Sequence, residues 1–85
     1  MARYKIKIKK SALKELENIP SKDLRRIIEK IESLADDPRP EGSKKLSREE
    51  KYRIRQGNYR ILYTIKDDIL IIYVVKVAHR KDAYR

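Results

Sequence analysis

The sequence predicts an α+β domain: an antiparallel sheet of about four strands with an N-terminal αα-hairpin packed on one face, in the order β-α-α-β-β-β. Three observations carry this expectation. Residues 52–63 read Tyr-Arg-Ile-Arg-Gln-Gly-Asn-Tyr-Arg-Ile-Leu-Tyr, two alternating runs about a Gly-Asn pair, the mark of a β-hairpin closed by a primed two-residue turn. Upstream, apolar side chains recur at helical spacing on both sides of Pro20. Downstream, Ile69 to Val77 is apolar on both faces, as a strand covered on both sides would be.

Arg3 to Lys9 alternates strictly, with Tyr4, Ile6 and Ile8 on one side and Lys5, Lys7 and Lys9 on the other. This is a half-buried strand whose lysines blunt it as an edge and add to the positive field. Ser11 is the expected N-cap of a short helix through about Asn18, with Leu13, Leu16 and Ile19 on its apolar stripe. Pro20 stops it. Ser21 then caps a longer helix to about Ala35, whose stripe of Leu24, Ile27, Ile28, Ile31, Leu34 and Ala35 packs on the sheet. The turn-rich stretch from Asp36 to Ser43 crosses back to the sheet, and Ser47 to Lys51 reads as a loop.

A two-residue turn fixes the hairpin register. Gln56 pairs with Tyr59, Arg55 with Arg60, Ile54 with Ile61, Arg53 with Leu62 and Tyr52 with Tyr63. One side therefore carries Tyr52, Ile54, Tyr59, Ile61 and Tyr63, a core face, and the other carries Arg53, Arg55 and Arg60. Asp67-Asp68 is read as a second two-residue turn, pairing Ile65 with Leu70, Tyr63 with Ile72 and Ile61 with Val74. Leu62, Tyr73, Val75 and Val77 then join the arginine face. Like charges directly opposite in a ladder destabilise it by roughly 0.2–1 kcal/mol per pair. A polyanion offsets that repulsion, and guanidinium forks match phosphate. An apolar floor with a cationic rim suits a nucleobase stacked with its phosphate held, or another protein's amphipathic helix.

The 85 residues make a single domain, residues 1–85, and the formal net charge is +10. That balance points to a polyanionic partner, nucleic acid first, then an acidic protein, then an anionic membrane. The longest apolar run, Ile69 to Val75, is far too short to span a bilayer, and the N-terminus has no signal-peptide core. The chain has no cysteine and one histidine, so thiolate chemistry is excluded and no metal site or cofactor is expected; the cytoplasm is the default compartment. The tail, Ala78-His79-Arg80-Lys81-Asp82-Ala83-Tyr84-Arg85, leaves the end of the central strand. Folded back over the arginine face, it would bring His79, Arg80 and Tyr84 to Arg53, Arg55 and Arg60.

The hairpin pattern Tyr-Arg-Ile-Arg-x-Gly-x-Tyr-Arg-Ile-Leu-Tyr and the close Val-Ala-His-Arg-Lys-Asp-Ala-Tyr resemble the RelE/ParE superfamily of type II toxin–antitoxin toxins. The likeness covers the whole chain and implies a RelE-like fold. The RelE branch, which it favours, consists of ribosome-dependent messenger-RNA endonucleases. They enter the ribosomal A site, where the 2′-hydroxyl attacks the adjacent phosphate and translation is inhibited. By this resemblance Arg55 and Arg60 clamp phosphate, Arg53 belongs to the same basic strand, Arg80 stabilises or protonates the leaving oxygen, and Tyr84 stacks on or orients the nucleotide. Lys44, Lys45, Arg48, Lys81 and Arg85 are the further expected RNA contacts. Some relatives have lysine where this chain has Arg53 and Arg55, and arginine stays protonated. His79 is therefore the first candidate for acid or base, Tyr84 the second, and a reaction with little acid–base help the third. The implied partners are a cognate antitoxin with an acidic, partly helical segment, the ribosome and messenger RNA. The ParE branch shares the fold but poisons DNA gyrase without being a nuclease, and a basic nucleic-acid-binding module without activity is a third reading.

Overall fold

The computed structural model describes residues 3–46 and 51–79. Along the chain come β1 (Lys5–Ile8), α1 (Lys10–Glu17), α2 (Ser21–Ser33), β2 (Lys44–Leu46), β3 (Lys51–Gln56), β4 (Tyr59–Lys66) and β5 (Ile71–His79). The strands form one sheet in the order β1-β5-β4-β3-β2. The α+β arrangement holds, with both helices contributing to a core on one side of the sheet. The sheet has five strands rather than about four, and it is mixed, because β1 docks parallel to β5. The added strand, β2, lies in the basic segment before the hairpin and pairs only with Lys51–Arg53, so Lys51 belongs to a strand and not to a loop.

The helix starts differ from expectation. Lys9 and Pro20 occupy the N-cap positions, neither makes a side-chain cap, and Ser11 and Ser21 lie inside their helices. At Lys9 the backbone N–H still donates to the Val74 carbonyl while its own carbonyl accepts from Leu13 at 3.0 Å, so strand passes into helix within one residue. Pro20, already fixed at φ −54, offers its carbonyl to Leu24 at 2.9 Å. The end of α2 tightens through bonds from Leu34 to Ile31 and from Ala35 to Glu32, a short-range pattern that uses the last carbonyls. The core joins Ala12, Leu16, Ile27, Ile31 and Leu34 to Ile61, Tyr63, Ile72 and Val74. Leu13, expected on the α1 stripe, stays 47% exposed.

The β3–β4 hairpin has the predicted register at every pair from Tyr52↔Tyr63 to Gln56↔Tyr59. Gly57 alone in its turn has a positive φ, +60, as the first position of a type II′ turn requires. The β4–β5 register departs from expectation twice. Four residues, 67–70, make the turn, so Lys66 pairs with Ile71, Ile65 with Ile72 and Tyr63 with Val74. Leu70 closes it at φ 54, uncommon for a branched side chain, and its carbonyl is held by the Lys5 N–H at 2.8 Å. Then β5 bulges: Tyr63 pairs with Val74 but Leu62 pairs with Lys76, leaving Val75 as the extra residue. Beyond the bulge the faces exchange. Val77 pairs with Ile61 and is buried in the core, not on the arginine face where alternation alone would put it.

Two contacts hold these irregularities. Past Ile8 the outer edge of β5 has no strand partner among the described residues, and Glu15 of α1 covers it. Its Oε1 accepts the Val77 N–H at 3.0 Å and its Oε2 lies 3.5 Å from Lys76 Nζ. At the other end, Arg39 clamps Asp67 through two nitrogens, at 2.8 and 3.3 Å, while its Nε donates to Tyr52 Oη at 3.0 Å. Tyr4 donates its hydroxyl to the same carboxylate at 2.6 Å. Arg39 first and Tyr4 second hold the Asp67 carboxyl below its ordinary value, and Asp67 in turn raises the Tyr4 phenol. Burial pushes the Tyr63 hydroxyl up to about 12, and it donates to the Pro38 carbonyl at 2.8 Å.

Tyr63→Phe removes that donor and should cost about 1 kcal/mol, or about 4–8 °C in Tm, read by thermal unfolding. The lowered Asp67 carboxyl makes a pH-dependent contribution: complete above the ordinary value of 3.8, and lost as pH falls through the depressed folded value. Asp67→Asn should therefore melt below the parent chain near neutral pH and converge with it in strong acid. A Tm gap that stays constant down to about pH 2 would rule the linkage out.

Candidate functional site

The sheet has a covered face and an open one, and the two differ in charge. No aspartate or glutamate falls in any of the five strands. The register brings Arg55 opposite Arg60, Arg53 opposite Leu62 and Lys44 opposite Arg53, all on the open face. Two residues further along, Lys51 pairs with Thr64, Thr64 with Tyr73 and Tyr73 with Lys7. The final row runs from Lys66 through Ile71 to Lys5. Lys76, paired with Leu62, adds a cation beside the bulge. An array of one sign over a low-dielectric floor focuses a positive field outward.

Shallow hollows lie along the sheet. One of about 320 Å³ is lined by Arg53, Arg55, Lys44, Gly42 and Ile54, with Glu41 beside them and Lys30 reaching in from α2. A second, of about 90 Å³, lies at the hairpin tip between Arg55 and Arg60. A third, of about 400 Å³, runs along the bulge and is lined by Lys9, Glu15, Lys51, Leu62 and Lys76. A small anion held at the tip would meet guanidinium donors from two strands, and forked donors hold phosphate with geometric specificity.

Arg53, Arg55 and Arg60 thus share one face, as the hairpin register requires. His79 does not share it. The bulge at Val75 shifts the alternation of β5, so Ala78 stands opposite Arg60 while His79 stands opposite Tyr59 on the helix side. There the imidazole meets the Tyr59 ring edge-on, with centroids 5.5 Å apart and planes at 80°. Lys44 lies on the arginine face, and Lys45, opposite Tyr52, on the other. Arg48, Arg80, Lys81, Tyr84 and Arg85 lie outside the described residues. Lys51 and Lys76 were not among the expected site residues. The signal that would have found them is in the sequence: every strand segment carries cations and no carboxylate.

Among the described residues no cluster of histidine and acidic side chains could hold a metal ion, and no helix is long and apolar enough to cross a membrane. A family model described as the ParE toxin of the type II toxin–antitoxin system parDE matches residues 6–84. A Methanocaldococcus jannaschii protein with the provisional name toxin RelE1 is 32% identical over 87 residues, covering 98% of this chain and 97% of that protein. Toxin RelG of Mycobacterium tuberculosis is 32% identical over 85 residues, covering 96% of this chain and 97% of its own length. The archaeal RelE–RelB complex from Pyrococcus horikoshii contains a chain that superposes with a TM-score of 0.84 at 30% identity, covering 98% of this chain and 100% of that one.

Stability and binding should pull apart at the arginine pair. Arg55→Thr relieves a like-charge pair and suits a strand, so it should raise stability by about 0.2–1 kcal/mol in denaturant unfolding. The same variant should bind single-stranded RNA more weakly, with a log–log salt slope flatter by about 0.7. A variant that gains stability and keeps full salt dependence would remove Arg55 from the anion site.

Proposed function

The chain belongs to the RelE/ParE superfamily of toxins of type II toxin–antitoxin systems, and from that membership we propose that it is a ribosome-dependent messenger-RNA endonuclease. The observation that carries the reading is the Arg55↔Arg60 pair with Arg53 beside it, on strands that contain cations and no carboxylate. In the reaction the 2′-hydroxyl of the message attacks the adjacent phosphorus. Its proton is released, the bond to the 5′-oxygen breaks, and that oxygen takes up a proton. The products are a 2′,3′-cyclic phosphate and a 5′-hydroxyl. Charge accumulates on the non-bridging oxygens during this exchange, and guanidinium donors aimed at them lower the barrier without reorganising.

Arg55 and Arg60 clamp the scissile phosphate, and Arg53 holds the neighbouring one. Arg80 serves the leaving oxygen and Tyr84 orients the nucleotide. Proton transfer is assigned to Tyr84 before His79, because the parity of β5 turns the imidazole toward Tyr59 and away from the arginines. Lys44, Lys45, Arg48, Lys81 and Arg85 hold flanking phosphates. A cognate antitoxin is the second partner. The Pyrococcus relative is solved with RelB, and an acidic, partly helical segment complements a chain of net charge +10. The cytoplasm, where ribosomes are, is the proposed location.

The family model's ParE description supports one other reading, inhibition of DNA gyrase by protein binding without nuclease activity. Primer extension on a defined message translated by purified ribosomes separates the two. We expect codon-positioned cuts that Arg60→Ala slows by about 10²–10³-fold, the usual loss for one transition-state donor, and that Tyr84→Ala also reduces. An uncut message together with trapped gyrase–DNA cleavage complexes would replace this reading with the inhibitor.

A further inference from the structure

The arginine cluster occupies only the hairpin end of the open face, yet the cationic surface continues well beyond it. Thr64 lies four steps beyond Arg60 along β4, roughly 13 Å at about 3.3 Å per residue. At the far end of that interval stands Tyr73, paired with Thr64 on one side and Lys7 on the other. Its chain neighbours on the covered face, Ile72 and Val74, are fully buried, whereas Tyr73 is 38% exposed. Among the described residues the other four tyrosines, Tyr4, Tyr52, Tyr59 and Tyr63, belong to the core or pack against it. Tyr73 is thus the one described aromatic ring on the open face.

Between the arginines and Tyr73 the floor is Leu62, flanked by Arg53 on β3 and Lys76 on β5. Lys51 and Lys7 then bracket the row that holds Tyr73. Cations along both sides, an apolar floor and an aromatic ring one step beyond are the ingredients of a single-strand track. The charges follow the backbone and the ring takes a base of any identity. An acidic protein segment would complement the charge, but it gives no account of a lone ring at nucleotide-scale distance from a phosphate clamp.

We propose that Tyr73 is a stacking platform for a nucleobase of the cut strand, lying outside the dinucleotide held by Arg55 and Arg60. This rests on the RNA-cleaving reading above and adds to it a second binding subsite. The subsite lengthens the footprint on the message and is tolerant of sequence, because every base presents a stackable face. Lys7 and Lys51 hold the phosphates beside that base.

The test is equilibrium binding of the full chain to labelled, 2′-O-methylated RNA, which cannot be cut by 2′-hydroxyl attack. A dinucleotide reaches only the arginine cluster, and an octanucleotide spans both. Tyr73→Ala should weaken the octanucleotide about fivefold to a hundredfold, the worth of one base–aromatic stack, and leave the dinucleotide unchanged. Tyr73→Phe keeps the ring and should bind as the parent does. Equal octanucleotide binding by Tyr73→Ala and the parent overturns the subsite, as does an equal loss on both lengths. It is overturned too if Tyr73→Ala weakens binding to an acidic peptide and not to RNA. Arg60→Ala is the control for the premise: if it lowers binding of both lengths while Tyr73→Ala lowers neither, only the subsite fails. If neither variant changes RNA binding, the RNA-cleaving reading fails with it.

Discussion

The Glu15 carboxylate accepts the Val77 N–H at 3.0 Å, two residues past the point at which β5 gains one residue on β4. The outer edge of β5 has no strand partner there among the described residues, and an unpaired buried donor costs about 1–3 kcal/mol. Here a helix supplies the acceptor. The extra residue, Val75, resets the alternation of the described residues beyond it. Val77 enters the core, Ala78 comes opposite Arg60, and His79 turns toward the helices. Which side chains near the end of the sheet can meet the arginines is therefore decided by one extra residue in β5.

Like charges meet across the open face: Arg55 faces Arg60 and Lys44 faces Arg53. The stabilising polar contacts gather at the opposite end of the hairpin. There Arg39, Asp67, Tyr4 and Tyr52 tie the α2–β2 connection, the 67–70 turn and the start of β1 together. Tyr63, fully buried and bonded to Pro38, anchors the same end. Each strained or repulsive feature is thus offset elsewhere, by core burial on the covered face and by this network. Such division is expected where a surface serves a ligand and not the fold.

Local rules made the hairpin legible. A two-residue loop sets the pairing of its strands, and each pair from residue 52 to residue 63 follows from Gly57-Asn58. The arginine face was legible for the same reason. The β4–β5 pairing was not, because Asp67-Asp68 reads as a short turn while Leu70, in a left-handed conformation, lengthens it to four residues. The bulge is a feature of how β5 meets β4, and alternation within β5 says nothing of it. The parallel docking of β1 is likewise a tertiary choice: the pattern of Lys5 to Ile8 marks a half-buried strand but not its neighbour. The bulge also sets the side of His79, since unbroken alternation from Ile72 would have put the imidazole on the arginine side.

Guanidinium groups at 53, 55 and 60 bear on chemistry more than on binding. An ammonium holds phosphate too, but it can shed its proton when desolvated, whereas a guanidinium stays charged. In the proposed reaction these arginines act as fixed charge, with no proton to exchange at each turnover. The 2′-hydroxyl must then be deprotonated and aligned by other means. General base catalysis contributes about 10²–10⁴-fold, or about 3–5 kcal/mol, whereas alignment of two reacting groups can contribute about 7–11 kcal/mol. Alignment is also what a shallow, open sheet face supplies least. On the proposed reading, a surface this cationic would grip many RNAs and cut few, and in-line geometry imposed from outside the chain would turn binding into cleavage.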